Sequence, residues 1–116
     1  CYLQELRITM AAATASTFGL GRPAAAGITP TSPVRVLNPL GGDAFGMDTK
    51  VTLAWGTPPT IPVAFFKRVS LPAVIGEGIL WTFGFRGLFI PAGETLITWN
   101  LAANGVSDVE VVISEL

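Results

Sequence analysis

The sequence contains no histidine and only one cysteine, Cys1. Without histidine there is no general base for a Ser-His or Cys-His catalytic pair. A single cysteine excludes an intrachain disulfide framework and a cysteine-based metal cage. These two absences remove most enzymatic chemistries. We therefore predict a protein that is not an enzyme and that holds neither a cofactor nor a metal ion.

Charge is also scarce. Only seven basic and eight acidic residues are present, 13% of the chain, and the formal net charge is −1. An average soluble domain carries about 25% charged residues. A nucleic-acid-binding protein needs a concentrated basic surface, which this balance does not supply. The sequence therefore predicts no nucleic-acid partner.

An apolar run long enough to cross a membrane as a helix is missing too, although 50% of the residues are hydrophobic. Such a helix needs about 20 apolar residues. The longest apolar stretch, residues 78–93, is interrupted by Arg86, Pro91 and four glycines. We predict that the chain does not insert into a membrane, so its apolar content must serve another purpose.

What the sequence does contain is an alternation of period two. Apolar side chains occupy every second position around Trp55, Trp81, Trp99 and Val111. This pattern is typical of a β-strand with one buried face. Four strands are predicted on this basis, and the alternation in the second of them extends to Phe85.

Four further strands are predicted with other signals. Residues 2–10 fit both a strand and a helix, and we favour a strand because Ile8 is β-branched and no helix cap precedes it. Residues 63–71 are strand-like. Short strands are predicted around Phe18 and over residues 34–37. This brings the expected total to about eight strands.

Proline and glycine mark the connections between these strands. Asn104-Gly105 lies between two alternating segments and predicts a hairpin that pairs residues 94–102 with residues 106–116. Residues 21–49 are rich in proline and glycine, and a stretch of that length predicts an extended loop or an arm that lies on a neighbouring molecule.

Eight short strands with proline-rich corners predict an all-β fold: a single antiparallel β-sandwich over residues 1–116 with jelly-roll-like topology. An immunoglobulin-like sandwich is the second possibility, but the paired cysteines of that fold are absent. A small closed barrel is the third. No boundary between two domains is visible.

A few residues remain as candidates for chemistry. Asp108 and Glu110 share one side of the last strand and could act as a glycosidase pair, but solvated strand residues are the favoured interpretation. Asp43 and Asp48 lie in a glycine-rich loop without a recognised calcium-binding spacing. The three tryptophans could stack on sugars, but their phase with other apolar residues favours the core.

The shortage of charge leaves apolar side chains on the surface, which is typical of protein–protein interfaces. We expect a homo-oligomer, for example a trimer, or a lattice of copies. The predicted interface residues are of two kinds. Those expected to point outward from strands are Leu3, Phe66, Leu80, Phe89 and Val112, and those expected in the arm are Pro30, Pro33 and Pro39.

Several short motifs resemble those of small all-β structural proteins of tailed bacteriophages. They are Leu20-Gly-Arg-Pro23, Pro62-x-x-Phe-Phe-Lys-Arg68, Leu71-Pro-Ala73, Trp81-Thr-Phe83, Gly87-Leu-Phe-Ile-Pro91 and Leu96-x-x-Trp-Asn100. The resemblance covers most of the chain from about Leu6 onward. It implies a jelly-roll-like virion component, such as a capsid decoration (cement) protein or an appendage subunit, whose partners are copies of itself and other virion proteins. It transfers no catalytic residue.

Two other functions stay open at this point. The first is a carbohydrate-binding or adhesin module, which would need an exposed tryptophan platform. The second is a fibre-forming subunit in which residues 2–10 of one chain complete the sheet of its neighbour.

Overall fold

A computed structural model of the chain describes residues 1–30, 35–36, 50–52, 54–102 and 106–114. In these ranges the backbone forms eleven β-strands and no helix, which confirms the all-β class. The strands, in chain order, are β1 Tyr2–Met10, β2 Ser16–Gly21, β3 Ile28–Pro30, β4 Arg35–Val36, β5 Lys50–Val51, β6 Trp55–Thr57, β7 Lys67–Leu71, β8 Gly78–Thr82, β9 Leu88–Phe89, β10 Ile97–Asn100 and β11 Ser107–Ser114.

Seven of these strands form two antiparallel sheets. The first sheet has the order β11-β1-β8, and β9 pairs with the first residues of β1. The second sheet has the order β10-β2-β7. The other four strands are short and pair as β3 with β6 and β4 with β5. Seven strands in two sheets are close to the total of about eight that the sequence predicts.

The core lies between the two sheets. The largest fully buried side chains are Ile8 and Met10 from β1 and Leu20 from β2. Leu71 of β7 and Trp81 of β8 belong to the same cluster. Burying a large apolar side chain stabilises a fold by about 1.5–3 kcal/mol. Because both sheets contribute to one cluster, the predicted β-sandwich is confirmed.

The order of pairing explains how the chain rolls up. The first long strand, β1, pairs with β11 and β8, whereas the second, β2, pairs with β10 and β7. The pairs of the second sheet are therefore nested inside those of the first along the sequence. The connections from β1 to β2, from β7 to β8 and from β10 to β11 therefore each lead from one sheet to the other.

Leu3 lies in the core rather than on the surface, so the prediction that it points outward is wrong. Its side chain is only 3% exposed. The register between β1 and β11 shifts between Leu3 and Glu5, which leaves Gln4 as an extra residue in a β-bulge. Because the bulge inverts the alternation, Leu3 faces inward together with Leu6.

The predicted hairpin at Asn104-Gly105 is also wrong as a pairing. In the described part of the chain, β10 pairs with β2 and β11 pairs with β1, so the two strands belong to different sheets. Residues 103–105 themselves lie outside the described ranges. Val106, just before β11, lies beside the connection from β1 to β2, where the Ala11 amide donates a hydrogen bond to the Val106 carbonyl over 3.0 Å.

Three predicted strands are shorter than expected. The strand expected over residues 63–71 begins only at Lys67. The strand expected to reach Phe85 ends at Thr82. The strand expected around Trp55 is divided into β5 and β6.

The proline-rich stretch 21–49 contains two of the short strands. β3 ends at Pro30, which lies opposite Trp55 of β6. Residues 35–36 form β4, inside the strand predicted over 34–37. Pro33 and Pro39 lie outside the described residues, so the proposed contact of this arm with a neighbouring molecule stays a prediction.

Candidate functional site

The described residues provide little for catalysis or metal binding. No three histidine, cysteine, aspartate or glutamate residues in these ranges lie close enough together to hold a metal ion. Asp108 and Glu110 are both exposed on β11. Asp43 and Asp48 fall outside the described ranges. No helix in the part described has the length and apolarity to cross a membrane.

The outer face of the first sheet carries one open depression of about 140 Å³. Its walls are Glu5, Arg7, Leu80, Glu110 and Val112. Arg7 lies directly opposite Glu110 on one side and Leu80 on the other. Two of the predicted interface residues, Leu80 and Val112, therefore meet here. Charged side chains surround them, which makes this a mixed face rather than an apolar patch.

Apolar exposure is the most prominent property of the surface. Contiguous exposed apolar patches are uncommon on monomeric proteins and mark interaction sites. Eleven large apolar side chains in the described ranges are about half exposed or more: Ile28, Ile61, Val63, Phe66, Val74, Ile75, Leu80, Phe85, Phe89, Val106 and Val109.

One group of these side chains surrounds Arg22, just after the end of β2. Arg22 Nη2 donates a hydrogen bond of 2.6 Å to the carbonyl of Phe89, and its Cζ lies 5.0 Å from the ring centroid of Phe66. The ring of Phe89 in turn packs against that of Tyr2, with centroids 5.1 Å apart. Phe66 and Phe89, both predicted interface residues, are thus brought together by one guanidinium group.

The turn after β8 adds a further aromatic side chain to this group. Gly84 and Gly87 adopt φ of 70° and 76°, in the left-handed region that favours glycine, and they hold Phe85 at the tip, fully exposed. The Phe83 amide donates a hydrogen bond to the Gln4 carbonyl, which places the turn beside the start of β1. We call the surface formed by Tyr2, Arg22, Phe66, Phe85 and Phe89 the aromatic end.

A second apolar group lies where β1 finishes. The Met10 amide donates to the Glu77 carbonyl over 2.7 Å, and the Gly76 amide donates to the Met10 carbonyl over 2.9 Å. These bonds hold the turn between β7 and β8 against the strand end. The exposed side chains here are Val74, Ile75 and Val106, with Glu77 and Asp108 beside them. We call this surface of five residues the aliphatic end.

Of these two surfaces, sequence reasoning found part of the aromatic end only. Phe66, Leu80 and Phe89 are 46%, 47% and 49% exposed, so the prediction that they point outward is confirmed. Val112 is only half-buried on the outer face of the first sheet. The whole apolar part of the aliphatic end was missed. The signal for its turn was present, since Leu71-Pro72 and Gly76 bracket Val74 and Ile75.

Only one of the three tryptophans, Trp81, is a core residue, so the prediction that all three lie in the core is confirmed for that one alone. Trp81 is 7% exposed and lies in the central cluster, as predicted. Trp55 and Trp99 are half-buried. Trp55 packs closely over Gly27, where a side chain would have no room.

No family model, no curated protein and no solved structure matches this chain.

Proposed function

We propose that this chain is a non-enzymatic structural protein that associates with copies of itself through apolar contacts, and that it stabilises the capsid or an appendage of a virus particle. The observation that carries the proposal is the exposure of eleven large apolar side chains. Against them the described ranges contain a single ion pair, between Arg22 and Glu94.

The apolar area that an interface buries indicates how much free energy self-association can gain. Burial of apolar surface contributes about 25 cal/mol per Å², and a stable interface covers roughly 800 Å² on each partner. Aromatic and arginine side chains contribute most to such interfaces. The aromatic end offers Phe66 and Phe89 in contact with Arg22 and a fully exposed Phe85 in the turn after β8, which is the composition expected of an interface centre.

The assignment to a virus particle is supported by the phage-like motifs and by the fold. Jelly-roll sandwiches occur repeatedly in capsid proteins. The motif residues occupy structural positions, since Trp81 is in the core and Leu71-Pro72 ends β7. The motifs on which the resemblance rests are therefore parts of the fold, which agrees with a structural function.

The two rival functions find less support in the geometry. A sugar-binding platform needs a flat exposed tryptophan, whereas Trp81 is buried and both Trp55 and Trp99 are half-buried. A strand-donating fibre subunit would use residues 2–10, but β1 already lies between β11 and β8 of its own sheet.

Sedimentation velocity over a concentration series tests self-association. We expect the weight-average sedimentation coefficient to rise with concentration toward a defined assembly. A monodisperse monomer at the highest concentrations would overturn the proposal.

The proposal that the chain is part of a virus particle needs a separate test. Peptide mass spectrometry of density-purified, nuclease-treated virus particles from the source that carries the gene should detect this chain in stoichiometric amount. Its absence from the particles, with the chain present in the soluble fraction of the same sample, would contradict the assignment.

A further inference from the structure

We propose that copies of this chain join head to tail, with the aromatic end of one copy seated on the aliphatic end of the next. This inference rests on the proposed self-association and specifies which surfaces meet. The partner is a second copy of the same chain.

The two surfaces lie at opposite ends of the molecule. Strand β1 starts with Tyr2 at the aromatic end and finishes with Met10 at the aliphatic end. Nine residues of extended strand span roughly 27 Å. Within a single copy the two surfaces therefore cannot contact each other, and each remains available to a neighbouring copy.

The charges of the two ends are complementary. At the aromatic end, residues 1–3, 21–22, 62–67 and 83–94 contain three basic side chains, Arg22, Lys67 and Arg86, and one acidic, Glu94. At the aliphatic end, residues 11–15, 72–78 and 106–109 contain two acidic side chains, Glu77 and Asp108, and no basic one.

Most of this charge is available to a partner. Arg22 Nε lies 3.9 Å from Glu94 Oε2, so that pair is partly satisfied within the copy. Lys67, Arg86, Glu77 and Asp108 are all exposed and belong to no ion pair in the described ranges. Charges around an apolar centre steer association and select the partner surface.

The same charges argue against a two-fold contact between identical ends. A contact between two aromatic ends would place the positive charges of Lys67 and Arg86 close to the same charges of the second copy. A contact between two aliphatic ends would place the negative charges of Glu77 and Asp108 close together in the same way. Like charges across an interface are costly. The heterologous arrangement instead pairs opposite charges and places the rings of Phe66 and Phe85 on the aliphatic side chains.

A heterologous contact has a geometric consequence. Every copy that binds a neighbour by one end still presents the other end, so growth continues until a ring closes or a filament forms. Both a ring and a filament are compatible with the proposed structural role.

The test uses two variants that each disable one end. Val74→Ser/Ile75→Ser removes the apolar part of the aliphatic end, and Phe85→Ser/Arg86→Ser removes the tip of the aromatic end. Neutral serine is used so that the two disabled ends do not attract each other. All four positions lie in exposed turns, and circular dichroism with urea unfolding checks that each variant folds as the unmodified chain does.

Each variant alone should sediment as a monomer at concentrations where the unmodified chain assembles. An equimolar mixture should give a 1:1 heterodimer and nothing larger, because each variant retains one functional end. The control is Thr98→Ala, an exposed residue of β10 that belongs to neither end, which should leave assembly unchanged.

Three outcomes would overturn the inference. If either end variant assembles as the unmodified chain does, that end is not in the contact, although self-association stands. If the mixture stays monomeric, or if Thr98→Ala abolishes assembly, the contact is not head to tail. An unmodified chain that is itself a monomer would overturn the proposed function as well, so the two failures are distinguishable.

Discussion

The guanidinium group of Arg22 lies over the ring of Phe66, with Arg22 Cζ 5.0 Å from the ring centroid. Arg22 follows β2, and Phe66 precedes β7, both in the second sheet. The same guanidinium donates a hydrogen bond to the carbonyl of Phe89 in the first sheet. One side chain therefore connects the two sheets at the aromatic end.

Replacing Arg22 should weaken this connection. We expect Arg22→Ala to lower the free energy of unfolding by about 1–2 kcal/mol, because a charge-assisted hydrogen bond and a cation–π contact are lost at a partly exposed site. Urea unfolding measures the change. Arg68→Ala, an exposed arginine of β7, is the control and should change stability by less than about 0.5 kcal/mol. Equal effects of the two substitutions would contradict the role given to Arg22.

Ile8 is the most enclosed core side chain, with 0% exposure on the central strand of the first sheet. We expect Ile8→Ala to destabilise the fold by about 2–5 kcal/mol and Ile8→Val by about 0.5–1.5 kcal/mol, since each leaves a cavity between the sheets. Chemical denaturation monitored by circular dichroism gives both values. A loss below about 1 kcal/mol for Ile8→Ala would show that this site is not tightly packed.

Gly78 begins β8 where that strand passes close to β1. A Cβ atom at this position would lie 2.5 Å from the carbonyl oxygen of Ile8. Because the obstacle is backbone of the central strand, Gly78→Ala should destabilise the fold by about 1–3 kcal/mol. Thr82→Ala, at the exposed far end of β8, is the matched control. A thermal unfolding midpoint that Gly78→Ala leaves unchanged would refute the close approach.

The three tryptophans should differ in their contact with solvent. The variant Trp55→Phe/Trp99→Phe retains only Trp81, which is buried, so its emission should be blue-shifted and weakly quenched by acrylamide. The complementary variant Trp81→Phe retains the two half-buried residues and should be quenched more strongly. Equal quenching constants for the two variants would contradict the placement of Trp81 in the core.

Head-to-tail association should depend on salt, since opposite charges flank the contact. Raising the salt concentration from ~0.05 M to ~1 M shortens the screening length from about 14 Å to about 3 Å. We expect the dissociation constant to rise several-fold, and we expect this rise to disappear in Glu77→Gln/Asp108→Asn. Salt dependence that survives in this variant would place the relevant charges elsewhere.

The positions of several strands were predictable from sequence. β11 was located from its alternation, β1 from the β-branched Ile8 and β2 from the apolar Phe18. The alternation fails at Gln4, where an extra residue inverts the phase and carries Leu3 inward. A bulge of this kind depends on the partner strand, and the sequence of β1 does not reveal it.

The pairing of strands was less predictable than their positions. Asn104-Gly105 indicates a local turn, but the partner of β10 is β2, about 80 residues earlier in the chain. The same holds for the candidate surfaces, where single exposed residues were predictable but the contacts between them were not. Phe66 and Phe89 were predicted to point outward, whereas their meeting at Arg22 depends on contacts between the two sheets.

The nested pairing has a consequence for folding kinetics. Tyr2 pairs with Ser114. The central strand of the first sheet therefore cannot complete its pairing until a segment near the other end of the described chain reaches it. Closing loops of that length is slow, and folds dominated by such distant pairs form on the millisecond-to-second scale. During that interval β1 is open to capture by the β11 segment of another molecule. Refolding at high concentration should therefore favour strand-exchanged species over correctly closed monomers.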